Sequence, residues 1–152
     1  MLVWAGAGAL SAFQLDKLLT AVRACGGVVP PQDFLGYLAR ADVARPGFWL
    51  VVIGVTVAAP VAEEIAFRGY LQGAMLCLLP RWPAIAVVAV VFGLVHTLPY
   101  ALPISLLGGL FGWLATRHGS LLPAILAHAL HNTLTVVVTV VWPETLDLLY
   151  PR

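Results

Sequence analysis

The sequence predicts an all-α protein, a polytopic bundle of transmembrane helices, from its composition and from the placement of its charges. The chain of 152 residues is 61% hydrophobic and 10% charged, with a mean hydropathy of +0.97, whereas soluble domains carry about 25% charged residues. No Asp, Glu, Lys or Arg occurs in residues 46–62, 82–116 or 118–143. Because a spanning helix needs about 20 apolar residues, the last two stretches are long enough to cross a bilayer.

The composition also excludes several other classes of protein. A net charge of +1 without a basic cluster argues against a nucleic-acid partner. Cys25 and Cys77 form no CxxC motif, so the sequence indicates neither a zinc knuckle nor a disulfide framework. The expected surroundings are therefore a lipid bilayer, with the chain as an integral, multi-pass membrane protein.

The chain divides into three parts by composition. Residues 1–45 hold an apolar segment, up to Phe13, and a polar connector. The apolar segment lacks a basic start and is predicted to belong to a membrane helix rather than to a signal peptide. Within the connector, Phe34–Ala44 is predicted to be an interfacial amphipathic helix with Phe34, Leu35 and Leu38 on one side. Residues 46–142 form the predicted membrane core, and residues 143–152 a short tail.

The core opens with a helix from Gly47 to Ala59 that meets Pro60. Because proline removes a ladder hydrogen bond, Glu63–Leu79 is predicted either as a second helix or as a kinked extension. Pro80–Pro83 is predicted to be a turn. If the basic connector and the turns at Arg81 and Arg117 all face the cytoplasm, residues 47–79 have to cross the membrane and return.

Three further helices complete the predicted core. The last one has Ser120 as a plausible N-cap and Pro123 in its first turn. Gly108 and Gly112 form a GxxxG step that lets a neighbouring backbone come close. The predicted ranges are Ala84–Leu98, Ile104–Thr116 and, after a tight turn at Arg117–Gly119, a helix ending near Trp142.

A few ionisable residues interrupt these apolar stretches, and each is a functional-site hypothesis because such groups are expensive in a membrane. Glu64 and Arg68 lie four positions apart on a helix, acid before base, and are interpreted as a supporting structural pair. Arg68 cannot pair equally well with Glu63, since Glu63 and Glu64 are adjacent and their side chains point about 100° apart on a helix. Glu63 is therefore a candidate general base. The alternative is that Glu63 begins a helix after Pro60 and only complements its dipole.

Two histidines and an asparagine extend this set. His96 is either a core histidine or a ligand, while His128 and Asn132 lie four positions apart on one helical face. Glu63, His96 and His128 could supply the three protein ligands of a catalytic zinc or other divalent metal ion, although the HExxH motif is absent. His131 matches no partner pattern and is interpreted as structural.

These residues lie in three motifs that resemble one known family. Pro60 to Leu71 matches EExxxR with its usual Pro and Phe-Arg-Gly flanks, Phe92 to His96 matches FxxxH, and His128 to Asn132 matches HxxxN. The order is that of the CPBP intramembrane proteases, a family that includes type II CAAX prenyl endopeptidases, abortive-infection proteins and lysostaphin-resistance-like proteins. The resemblance covers residues 46–141.

The resemblance implies an intramembrane endopeptidase that hydrolyses a membrane-associated, CAAX-like lipidated protein. Carried over by position, Glu63 and His96 would activate the water, and His128 and Asn132 would bind a metal or the oxyanion. Two other functions stay open. A non-catalytic immunity or scaffold protein would keep the motifs as a polar network, and a transporter would prefer two repeated halves with discontinuous helices, which this sequence lacks.

Overall fold

The computed structural model describes residues 33–96 and 100–144, and these residues form helices and no strands. The all-α prediction is therefore confirmed for the described part of the chain. The apolar segment predicted before residue 14 lies outside the described residues. The helices are α1 (Asp33–Leu38), α2 (Pro46–Leu78), α3 (Arg81–Leu94), α4 (Ala101–His118) and α5 (Leu122–Val141).

Helix α2 is continuous over 33 residues in spite of Pro60. It contains two π-helical segments, Gly54–Ala58 and Ile65–Leu71. At the end of the first segment the N–H of Ala59 bonds to the carbonyl of Gly54, five residues back. This wider turn accommodates a proline ring that would clash with a regular α-helical turn. Of the two predicted arrangements, the extension is the one observed.

The continuity of α2 decides two alternatives that the sequence left open. Residues 47–79 do not cross and return, because Pro60 leaves the direction of the helix unreversed. Arg45 and Arg81 therefore lie at opposite ends of α2. The alternative interpretation of Glu63 as the start of a helix is also wrong, because Glu63 lies in the middle of α2, far from any helix dipole end.

Helices α3 and α4 form a tight antiparallel pair that packs against α2. A Cβ on Gly93 would collide with Ala101 and Ser105 near the start of α4, and one on Gly112 would lie 3.2 Å from Ile85 near the start of α3. Helix α5 runs antiparallel to α2, since Gly69 contacts Leu121 while Glu64 contacts His128. The predicted close approach at the GxxxG step is confirmed.

Some helix boundaries differ from the prediction for local reasons. Helix α3 already begins at Arg81, because Pro83 lies in a first turn, where its missing N–H has no helical partner to lose. Gly119 adopts φ 59°, the left-handed conformation that ends α4. The predicted N-cap Ser120 is one residue too early, because Leu121 is the N-cap of α5 and makes no side-chain cap bond; Ser120 Oγ still accepts the N–H of Leu122 at 3.3 Å.

Helix α1 is shorter than predicted. It ends at Leu38, and the carboxylate of Asp42 accepts the N–H of Ala44 at 3.0 Å, a local bond that competes with helix continuation. Leu35 and Leu38, predicted on the apolar side of an interfacial helix, are buried within the protein, and Leu38 clusters with Phe48 and Val136. Helix α1 thereby covers the junction of α2 and α5.

Helices α2 and α5 are long and apolar enough to cross a membrane. Only 17% and 22% of the residues in their most apolar windows are buried. Large apolar side chains instead point outwards, such as Leu50 with 72% exposure and Leu126 with 60%. Helix α3 is apolar but shorter. Exposed apolar surface of this extent is unusual for a soluble protein.

Candidate active site

The centre of the site is the carboxylate of Glu64, which is completely buried. Its Oε1 accepts a hydrogen bond from Arg68 Nη1 at 3.1 Å and lies 2.9 Å from His128 Nδ1. A carboxylate paired with a guanidinium is ionised and can only accept, so Nδ1 of His128 carries the proton. The neutral ring then has its lone pair on Nε2.

The orientation of His96 leads to the same tautomer. Its Nδ1 lies 2.7 Å from the carbonyl oxygen of Phe92, one turn earlier in α3. A carbonyl oxygen cannot donate, so Nδ1 donates to it and the lone pair of the neutral ring is again on Nε2. Anchoring one ring nitrogen in this way frees the other for a metal ion or a water molecule.

Both lone pairs face the carboxylate of Glu63. Oε2 of Glu63 is 3.7 Å from His96 Nε2 and 3.8 Å from His128 Nε2. These separations are too long for direct hydrogen bonds, and this buried oxygen has no hydrogen-bond partner among the described residues. The side chain of Glu63 as a whole is 31% exposed and that of His96 28%, so the site is reachable from outside the bundle.

With both imidazoles neutral, three hydrogen-bond acceptors converge, from α2 (Glu63), from α5 (His128) and from the turn that follows α3 (His96). Two imidazole lone pairs and a carboxylate oxygen repel one another unless a donor or a cation joins them. A water molecule brings two hydrogens, and polar groups slightly more than 3.5 Å apart are a usual site for a bridging water. The arrangement is suited to holding and polarising a water molecule beside a base.

The predicted catalytic residues are only partly brought together. Glu63, His96 and His128 converge, whereas Asn132 lies one turn further along α5. Nδ2 of Asn132 donates to the carbonyl of Val55 at 2.9 Å. Its predicted role as a metal or oxyanion ligand stays a prediction.

Sequence reasoning missed Gln72, which extends the Glu64–Arg68 pair by one more turn of α2. Arg68 Nη2 donates to the carbonyl of Gly108 at 2.9 Å, and Gln72 Nε2 donates to that of Gly112 at 3.0 Å. Both bonds require the backbone of α4 to be close, which the two glycines allow. The sequence did carry a signal for this contact, because Arg68 and Gln72 have the same spacing of four residues on α2 as the two glycines have on α4.

Phe92 was placed in the FxxxH motif without a role of its own, and Phe111 was missed as part of the site. The Phe111 ring stacks on His128, with centroids 4.8 Å apart and an interplanar angle of 16°. Phe92 contacts the His96 ring at 4.7 Å and lies 4.3 Å from the Arg68 guanidinium carbon. These rings fix the imidazoles and cover the buried cation with apolar faces. Nothing in the sequence distinguishes Phe111 from other apolar residues of α4.

The site has the donor atoms of a metal centre but not the spacing. The donor types fit zinc, since an oxygen of Glu63 and Nε2 atoms of His96 and His128 are ordinary zinc ligands with anchored second nitrogens. Two ligands of one tetrahedral zinc lie about 3.4 Å apart, however, and the oxygen–nitrogen separations here are 3.7 and 3.8 Å. In the described part of the chain, no group of three or more His, Cys, Asp or Glu side chains is arranged to hold a metal ion.

Comparison with known families identifies the family of the chain. The sequence model of the type II CAAX prenyl endopeptidase Rce1-like family matches residues 45–134. The chain belongs to this family. Membership in the Rce1-like family implies a membrane-embedded protease that acts on a membrane-associated protein. The matched range contains all the predicted site residues, from Glu63 to Asn132. No curated protein and no solved structure matched the chain.

Proposed function

We propose that this Rce1-like protein is an intramembrane endopeptidase in which Glu63 activates a water molecule to hydrolyse a peptide bond of a membrane-associated, CAAX-like lipidated protein. One observation carries the proposal: Glu63 Oε2, without a hydrogen-bond partner in the described structure, faces Nε2 of His96 and of His128. In this mechanism the water donates one hydrogen to Glu63 and the other to an imidazole lone pair.

The proposed reaction uses these positions. Glu63 takes a proton from the water as its oxygen attacks the carbonyl carbon of the peptide bond. A tetrahedral intermediate forms, and its carbon–nitrogen bond breaks as Glu63 returns the proton to the leaving amine. The two histidines orient the water and the Glu63 carboxylate, and Glu64 keeps His128 in the required tautomer.

The proposal includes a divalent metal ion, for which zinc is the first candidate. Glu63, His96 and His128 would hold it, and when bound it would acidify a water molecule and polarise the substrate carbonyl. The oxygen–nitrogen separations of 3.7 and 3.8 Å exceed those between two ligands of one zinc ion, so the three side chains would have to move closer together to hold it. Zinc content of purified protein, with His128→Ala as the comparison, tests this component.

The proposed setting is a multi-pass protein of a bacterial-type plasma membrane. Exposed apolar faces of α2 and α5 support it. So do exposed tryptophans, because Trp49 and Trp142 lie at one end of the antiparallel α2–α5 pair and Trp82 follows the other end of α2. Tryptophan is enriched at the two membrane–water interfaces.

The decisive experiment is Glu63→Gln, assayed on one lipidated peptide that the wild type cleaves. The amide keeps the size of the side chain but cannot take a proton from water, so cleavage should fall about 10²–10⁴-fold at unchanged thermal stability. Glu144→Gln, which changes an exposed glutamate at the end of the described chain, is the matched control and should leave cleavage unchanged. Full activity in Glu63→Gln would contradict the mechanism. An inactive wild type would favour the scaffold alternative.

A further inference from the structure

The backbone of α2 next to Pro60 has a carbonyl group without a helical donor. In a regular α-helix the carbonyl of Val55 would accept the N–H of Ala59, but that N–H bonds to Gly54 instead. The next donor, five residues ahead, would be that of residue 60, and proline has none. The π turn and the proline together therefore leave Val55 with neither donor.

The amide of Asn132 supplies the missing donor. Its Nδ2 donates to the Val55 carbonyl at 2.9 Å across the α2–α5 contact. Leaving a carbonyl unsatisfied inside a bundle costs several kcal/mol in lipid. This bond therefore determines how α5 lies against the first half of α2.

One turn away, the same face of α5 contacts the second half of α2. His128 Nδ1 binds Glu64 at 2.9 Å, and Nε2 of the same ring faces Glu63. Asn132 and His128 thus bind α2 on either side of Pro60. Helix α5 bridges the irregular segment of α2, and the position of Glu63 relative to His128 depends on both attachments.

We infer that Asn132 is a positioning residue, which fixes Glu63 against His128 by donating to the Val55 carbonyl that Pro60 and the π turn leave unsatisfied. This inference rests on the proposed function for its kinetic consequence, but the hydrogen bond itself does not. The competing role, implied by the family resemblance, is direct stabilisation of the oxyanion or of a metal ion by Asn132.

The first test measures the hydrogen bond by stability, without any substrate. Pro60→Ala provides an N–H at residue 60, and Pro60→Val does so with a side chain closer in size to the buried proline. Asn132→Ala should lower the melting temperature in the wild type and lower it clearly less in either Pro60 variant, because the helix then satisfies its own carbonyls. Equal losses in both backgrounds would overturn the inference.

The second test separates positioning from direct catalysis. If Asn132 acts through Glu63, Asn132→Ala should lower kcat in the wild type. Added to Glu63→Gln, the same change should leave the residual kcat unchanged within about twofold, because the effects of residues that act as a unit are not additive. A further loss of about 10²-fold or more in the double variant, the size expected for an oxyanion donor, would overturn the inference. Wild-type activity in Glu63→Gln alone would instead contradict the proposed function.

If the residual rate of Glu63→Gln is too low to measure, the kinetic comparison is made in Pro60→Ala or Pro60→Val. There Asn132→Ala should reduce kcat by a smaller factor than in the wild type, with KM unchanged in both. An identical reduction in both backgrounds would show that Asn132 acts on the reacting groups themselves. If neither Pro60 variant folds although Asn132→Ala does, the fold needs the π turn for a reason other than the Asn132 bond. That result would overturn the inference.

Discussion

His128 and Glu64 are joined by a hydrogen bond of 2.9 Å, although 64 positions separate them in the chain. This bond gives two adjacent carboxylates different roles. Glu64 is fully buried and is shared by a cation and an imidazole, while Glu63 is 31% exposed and has only acceptors in front of its Oε2. A single residue of helix rotation thus separates a structural carboxylate from the candidate base.

Replacing Glu64 should damage both stability and turnover. Glu64→Gln keeps an oxygen that can accept from His128 but leaves the Arg68 charge unbalanced. We expect a lower melting temperature and a loss of about 10–100-fold in kcat, the usual effect of changing the partner that orients a histidine, because the remaining bond to His128 is no longer charge-assisted. Glu63→Gln should show the opposite ranking, with stability kept and a larger loss of turnover. Identical behaviour of the two variants would contradict the division of roles.

Arg68→Ala should reduce the yield and stability of the protein as well as its activity. The guanidinium is fully buried between Glu64 and the carbonyl of Gly108, and removing one partner of a buried pair typically costs about 3–5 kcal/mol. Thermal unfolding in detergent measures the effect. Arg45→Ala is the matched control, because the Arg45 side chain is 82% exposed, and normal stability of Arg68→Ala would show that the pair is dispensable.

The glycines of α4 provide a test of helix packing. A Cβ on Gly112 would lie 2.5 Å from Gln72 Oε1, an atom held in place because the same amide donates to Gly112 and to Thr116. We expect Gly112→Ala to destabilise the protein by about 1–3 kcal/mol, as overpacking does.

Gly109→Ala is the control for Gly112→Ala. Its added methyl group would meet Ala89 at 3.8 Å, an ordinary contact, and alanine in a helix is favoured over glycine by about 1 kcal/mol. Its stability, measured by thermal unfolding of both variants, should be unchanged or higher. Comparable losses in the two variants would mean that Gln72 moves away freely.

Phe111→Leu tests whether ring stacking orients His128. Leucine keeps the apolar volume but loses the stacked ring, an interaction worth about 0.5–1.5 kcal/mol, so kcat should fall by about 2–10-fold. Phe48→Leu, in the apolar cluster with Leu38 and Val136, is the control for general destabilisation. It should lower the melting temperature without changing kcat in the folded protein, and an equal effect on kcat would rule out a specific role for stacking.

The sequence was sufficient to predict the features that depend on local pattern. Helical class followed from uncharged apolar stretches, and Glu63, His96 and His128 stood out because ionisable groups are rare in such stretches. The path of the chain at Pro60 was not predictable, because a proline can end a helix or be absorbed by a wider turn, and neighbouring helices decide between them. The partner of Asn132 was hidden for the same reason, since it is a backbone carbonyl released by that turn.

The length of α2 has a consequence for the bilayer around the proposed enzyme. Its 33 residues extend about 50 Å, whereas the hydrocarbon core is about 30 Å thick. Even a tilt of about 40°, at the upper end of what is observed, would leave part of α2 in the headgroup region or would thicken the local bilayer. Helix α5, with 20 residues, matches that thickness at about 30 Å. Because the two helices meet at the candidate catalytic residues, we expect the acyl-chain length of the surrounding lipid to influence the geometry of the site.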